Sequence, residues 1–228
     1  MKAGPSVPYA AFCDQDDVWL PDKLSRAIEK LNKVEPGRPA LYCSRTTICD
    51  RDLKPIGVSP LFGQAPSFAN ALVQNIGGGN TMVVNRAALD ILQDTVRHAS
   101  GIVAHDWWAY QVISGANGKI FYDPEPSALY RQHGQNLVGA NQSWQARLSR
   151  ARRILRGEFR AWNDTNTDAL WHARHWLTPE AVRTLEDFDQ LRNGSTRQRV
   201  QALRHSKVHR QTRCGQAALC MAALLKRL

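Results

Sequence analysis

The chain has 228 residues, enough for one α/β domain or for such a domain with a helical appendage. Hydrophobic residues make up 43%, charged residues 22%, and there are seven Trp, which excludes a disordered chain. No run approaches 18 apolar residues, which excludes a transmembrane helix, and MKAGPSVPYAAF lacks the apolar stretch of a signal peptide. The formal charge is +10, and all of the excess lies late in the chain. Residues 1–140 carry 13 Lys+Arg and 13 Asp+Glu, whereas residues 141–228 carry 17 and 7. A boundary near 140 is expected from that asymmetry. Five Cys with no CxxC pair argue against a disulfide framework or zinc ribbon and for a reducing, cytoplasmic compartment.

In chain order, VPYAAFC (7–13) reads as a short buried strand that stops at Asp14. After Pro21, Leu24, Ile28, Leu31 and Val34 recur at helical spacing. ALYCS (40–44) and TTIC (46–49) read as two strands before a turn at DRDLKP. PSFANALVQ predicts a helix, TMVVN a strand, and RAALDILQDTVRHA a second helix. AHDWWAYQVISGA (104–116) has helical length and a stop at Asn117-Gly118. KIFYD and SALYRQH read as two further strands. From Ser143 onward the pattern is helical. SWQARLSRARRILRGEFRAW is amphipathic and Arg-rich, TPEAVRTLEDFDQL starts on a Thr cap and Pro, and CGQAALCMAALLKRL is apolar. The fold class expected is α/β for residues 1–140, followed by a basic helical region over 141–228.

Asp14-Gln15-Asp16-Asp17 sets three carboxylates at the end of a predicted strand, where ligands of open α/β sheets bind. Like charges this close repel, and a divalent cation with hard oxygen ligands, Mg²⁺ or Mn²⁺, would make the cluster tolerable. The other reading is an acidic cap on the next helix. An EF-hand is excluded, because the sixth loop position is Trp19 and the twelfth is Ser25.

Four segments in order, FCDQDDVWLPDKL, QNIGGGNTMVVNRAAL, AHDWW and LYRQHGQNLVG, resemble family 2 glycosyltransferases of the GT-A fold, in particular rhamnosyltransferase-like members. The resemblance spans residues 9–139 and implies a partial GT-A, Rossmann-like mixed sheet with flanking helices. It implies inverting transfer of a sugar, rhamnose foremost, from a dTDP- or UDP-linked donor to a glycan or lipid-linked acceptor of surface-polysaccharide synthesis. Asp16 is then the metal ligand, with His133 as a metal or diphosphate ligand. Asp14 lies toward the donor's ribose and diphosphate, and Arg131 pairs with phosphate. Asp17 supports either role or caps a helix. Asp106 is the general base, with helix capping as the alternative; the family commonly has Glu where His105 stands. Gly79, Asn80, Trp107 and Trp108 fall on the acceptor side, although the core is an equally good place for one of the tryptophans.

The same resemblance implies that the βα units preceding the family's acidic motif are missing here, so a truncated, weakly active chain is expected. The rival reading is a non-catalytic remnant acting as a membrane-surface or protein interaction module. Basic helices bearing Trp and Leu suit an anionic membrane at the cytoplasmic face, or else a plain solvated appendage. No nucleic-acid-binding module is visible. The pairs His172/His175 and His205/His209 read as surface residues.

Overall fold

The computed structural model describes residues 7–99, 101–132 and 158–228. Its organising element is β3 (Ala40–Cys49), ten residues almost all buried. Along one edge β3 pairs in parallel with β6 (Lys119–Arg131). Along the other it pairs antiparallel with β5 (Val83–Asn85) through Leu41 and Tyr42, and with β4 (Pro55–Val58) through Thr47–Cys49. The sheet runs β1-β5-β3-β6-β2, with β1 (Tyr9–Ala11) and β2 (Val18–Trp19) at its edges. The apolar start of β3, Ala40–Cys43, is buried in the core, and its polar middle, Ser44–Thr47, lies where the pairing is irregular.

ALYCS and TTIC are one strand, as are KIFYD and the SALYR part of SALYRQH, and the sequence breaks mark an irregularity common to both. Ser44 is opposite Asp123 and Thr46 is opposite Ala128, so β6 advances five residues while β3 advances two. The excess holds Pro124 and Pro126, which have no N–H for the ladder. Side chains bond the backbone there instead: the Ser44 amide donates to Thr81 Oγ1 (3.2 Å), and the Thr46 amide to Ser59 Oγ (3.0 Å). β2 and β4 were not foreseen. β1 is a half-buried edge strand rather than a buried one.

Helix α1 (Lys23–Leu31) packs on β3 and β5. Its buried face is Lys23, Ala27 and Leu31, and Leu24 is 41% exposed. The inward face is therefore turned by one residue from the expected Leu24–Ile28–Leu31–Val34 stripe. Helix α2 is a single turn (Phe68–Ala71) capped by Ser67 Oγ, and α3 (Arg86–His98) is capped by Asn85. Helix α4 (His105–Gly115) is buried on nearly all sides. A helix apolar all round belongs in a core, and the remaining helices explain what covers it.

These are α5 (Glu158–His172), α6 (Pro179–Asn193), α7 (Thr196–His205) and α8 (Arg213–Leu224). One hydrophobic cluster joins Leu41, Val84 and Ile113 to Leu170, Leu177, Leu185 and Leu219. The Thr178 amide donates to the Gly115 carbonyl (3.0 Å), and Gln64 and Gln211 exchange hydrogen bonds. Thr178 caps α6 and Pro179 follows it, as the sequence predicts. The expected boundary near 140, and most of the Arg-rich helix expected from Ser143, lie outside the described residues. Among the described residues no helix is long and apolar enough to cross a membrane.

Candidate active site

Residues of all four motif segments meet at one end of the sheet. The acidic loop leaves β1 after Ala11, and the Phe12 amide donates to the Met82 carbonyl (3.2 Å), which ties the loop to the glycine-rich segment. Asp17 is the anchor. One of its carboxylate oxygens accepts from Asn80 Nδ2, and the other accepts from the Arg131 amide at the end of β6 (3.0 Å). Arg131 closes the ring, donating from Nε to the Asp16 carbonyl (3.0 Å) and from Nη1 to the Arg51 carbonyl (2.5 Å). Burial raises the Asp17 pKa above the ordinary carboxylate value, with Asp14 and Asp16 adding like charge, against the lowering effect of its two hydrogen bonds.

Beneath this loop lies Lys23, with no exposed surface. Its ammonium donates to the Asn80 carbonyl and sits 3.6 Å from the centre of the Trp19 ring. Burial lowers its pKa to about 8, while nearby Cys13, Asp17 and Asp14 act in the opposite direction. Asn80 therefore has its carbonyl held by Lys23 while its side chain holds Asp17. That places Asn80 as a clamp on the acidic loop.

The glycine-rich segment also receives α4. The Gly79 amide donates to Asp106 Oδ2 (3.2 Å), and Asp106 Oδ1 accepts from the Trp107 amide (2.6 Å). Asp106 thus stands in the first turn of a helix that has no side-chain cap at Ala104. A carboxylate oxygen has two lone pairs, so two accepted bonds leave capacity to take a proton. His105, whose role the sequence left open, packs on Phe12 with ring centroids 5.3 Å apart. Its Nε2 lies where any Cβ on residue 79 would come, 2.3 Å away. Gly79 is required because a ring occupies that space. At Gly77 the obstacle is Cys43, 2.7 Å from the position of a Cβ.

The positions of the other candidates follow. Asp14 and Asp16 are exposed on the loop, and Asn80 and Gly79 are buried at its base. The acceptor-side reading of Trp107 and Trp108 is corrected: they are 6% and 2% exposed, Trp107 donates to the Ala71 carbonyl (2.7 Å) and stacks on Phe159, and both belong to the core around α4. These two hydrogen bonds of Asn80 run into the protein, to Lys23 and Asp17, which makes it part of the scaffold of the site. His133 lies outside the described residues. Among the described residues no three His, Cys, Asp or Glu side chains converge as a metal cage. Two exposed carboxylates, Asp14 and Asp16, still fit the usual habit of Mg²⁺, which takes one or two carboxylates and completes its shell with water and substrate phosphates. The acidic face is open. Two clefts lie elsewhere, one of about 490 Å³ beside Trp171 and Asp189, one of about 330 Å³ beside Tyr9 and Asn32. Lys23 is the residue sequence reasoning missed, and His105 the one whose role it left open. The only available signal was Lys23 falling one position before an apolar stripe.

Comparison with known proteins shows that the chain is a distant homologue of a glycosyltransferase. That relative is the dTDP-rhamnosyl transferase RfbG of Shigella flexneri, 30% identical over 152 residues, covering 62% of this chain and 49% of the relative. The chain thus spans about half the length of the curated relative it matches. No protein-family model matches the chain.

Proposed function

We propose that the protein acts in inverting glycosyl transfer, moving a sugar from a nucleoside diphosphate donor to an acceptor hydroxyl of a glycan or lipid-linked saccharide. The observation that carries this reading is the convergence of the acidic loop, Gly79-Asn80, Asp106 and Arg131 at one sheet end, from segments far apart in sequence. Rhamnose as the sugar and dTDP as the carrier are supported by the named activity of the relative.

In this reading Asp14 and Asp16 hold a divalent cation, which when bound offsets the charge that develops on the leaving diphosphate. Asp17 carries no substrate; with both oxygens engaged it fixes the loop that presents its neighbours. Asp106 takes the proton of the acceptor hydroxyl as the oxygen attacks the anomeric carbon. Arg131 orients the loop through the Asp16 carbonyl, and its guanidinium suits pairing with the donor's diphosphate.

Calorimetry with dTDP and UDP, with and without Mn²⁺, tests the reading. Binding that requires Mn²⁺, disappears on EDTA treatment and is abolished in Asp16→Ala is expected. Metal-independent binding, or binding unchanged in Asp16→Ala, would overturn the assignment of the loop. Turnover is then followed with dTDP-rhamnose, where Asp106→Asn should lower kcat by at least ~10²-fold with donor affinity retained.

A further inference from the structure

Helix α8 (Arg213–Leu224) is apolar on both of its faces. Leu219, Ala222 and Ala223 point into the core. On the opposite side Ala217, Ala218, Met221, Leu224 and Leu225 are exposed, the last three at 57%, 47% and 54%. No charged residue occurs between Arg213 and Lys226, so the outward strip is uninterrupted from Ala217 to Leu225. Packing of one face is explained by the fold; water against the other face is not, because a helix hydrophobic all round is stable when both sides are covered.

The chemistry of the covering partner follows from charge. From Gln190 to Leu228 the chain has nine Lys and Arg and no Asp or Glu, and of the nine Arg192 and Arg199 are buried. Arg213 flanks the apolar strip at its start, and Lys226 and Arg227 at its end; all three are exposed. A second copy of the chain would bring the same cations against each other. Nucleic acid would satisfy the cations and leave the methyl groups of Met221, Leu224 and Leu225 without a partner. A bilayer with anionic headgroups satisfies both, because apolar side chains enter the acyl boundary while Lys and Arg stay at the phosphates. At 12 residues α8 is about 18 Å long, short of the roughly 20 residues that span a bilayer, so it lies in the plane of the surface.

We propose that the outward face of α8, framed by Arg213, Lys226 and Arg227, docks the protein on anionic lipid bilayers. This inference is independent of the glycosyl-transfer reading, since no residue of the acidic face takes part in it.

Co-sedimentation of the whole chain with vesicles of phosphatidylcholine, with and without phosphatidylglycerol, tests it. Binding is expected only when phosphatidylglycerol is present. The variant Met221→Ser/Leu224→Ser/Leu225→Ser should lose roughly tenfold or more in affinity. Lys226→Ala/Arg227→Ala should lose roughly fivefold per cation, an effect that fades at high salt. Because these side chains are exposed, both variants should melt with wild-type cooperativity, and the charge pair gives a second reading that leaves the apolar face intact. Equal binding to both vesicle types, no binding to either, or binding unchanged in both variants would overturn the proposal. So would self-association, or duplex DNA binding, that persists while vesicle binding is absent.

Discussion

Methionine in place of Lys23 keeps an unbranched stem in the α1 slot and removes the ammonium beneath the acidic loop. Two effects oppose each other at pH 7. The Asn80 carbonyl loses its donor, which costs about 1–3 kcal/mol when the group stays buried. The desolvation of a buried cation is relieved at the same time, and that relief is readable from the ionisation. Lys23 titrates at about 8 in the folded protein against 10.5 ordinarily, chiefly because of burial. Between those values the unfolded chain holds the proton and the folded chain has released it. Stability therefore rises with pH across this window, by about 3 kcal/mol in total. Below pH 8 both states are protonated and the full penalty of the buried charge is present. Urea unfolding of wild type and Lys23→Met at pH 7 and pH 10.5 isolates this, since other titrating groups cancel in the difference. Wild type should gain about 3 kcal/mol relative to Lys23→Met over that interval. A difference that stays flat, or moves the other way, refutes the placement of an ammonium in that cavity.

Asp17→Asn replaces one of two acceptor oxygens with a donor facing Asn80 Nδ2 or the Arg131 amide, and should cost about 1–3 kcal/mol by chemical denaturation. Because the Asp17 pKa is raised, the folded carboxyl keeps its proton to higher pH than the unfolded one, so the wild-type advantage over Asp17→Asn should shrink as pH climbs above 3.8 through the folded value. Gly79→Ala should be destabilising through the His105 ring, and Gly79→Ala/His105→Ala should recover at least ~1 kcal/mol of that loss in a double-mutant cycle. Gly77→Ala meets Cys43 in the central strand, where nothing can swing aside, and should lower stability more than Gly79→Ala in the same melts. Arg192→Lys loses the fork that reaches Asp164, Thr167 and the Leu228 carbonyl, and about 1–3 kcal/mol of thermal stability with it.

Local pattern carried most of the elements. Apolar spacing located α1, length and the Asn117-Gly118 stop located α4, and Thr178 with Pro179 located the start of α6, because these signals act within a few residues. The sheet was less legible. Pro124 and Pro126 look like a strand end from sequence alone, and only pairing with β3 shows that the chain passes through a bulge and continues. β2 is two residues long and β4 is fully exposed, so neither has a pattern to read. The site segments were recognisable by motif, but the division of labour within them was not. Asp14, Asp16 and Asp17 are equivalent as letters. Their difference comes from where the Asn80 amide and the Arg131 N–H fall, a contact across 63 residues and another across 114. The two tryptophans misled for a related reason: an aromatic pair beside an acidic residue suits sugar stacking and core packing equally, until α5 is seen to cover α4 with Phe159.

The orientation of α1 is where folding and function part. Turning the helix by one residue would bury Leu24 and release Lys23 to water, and both changes favour folding by transfer free energy. The chain does the reverse, leaving Leu24 41% exposed and Lys23 wholly covered. Local choices that oppose stability concentrate where a site has to be held. Here the covered ammonium fixes the Asn80 backbone, Asn80 fixes Asp17, and Asp17 with Arg131 sets the conformation of the loop that presents Asp14 and Asp16. Three crowded carboxylates would spread apart without a neighbouring positive charge, and Lys23 supplies one from inside the protein, where solvent and salt do not screen it. A cation bound from outside would then meet a loop already in place, so little of its binding energy would go into ordering the ligands.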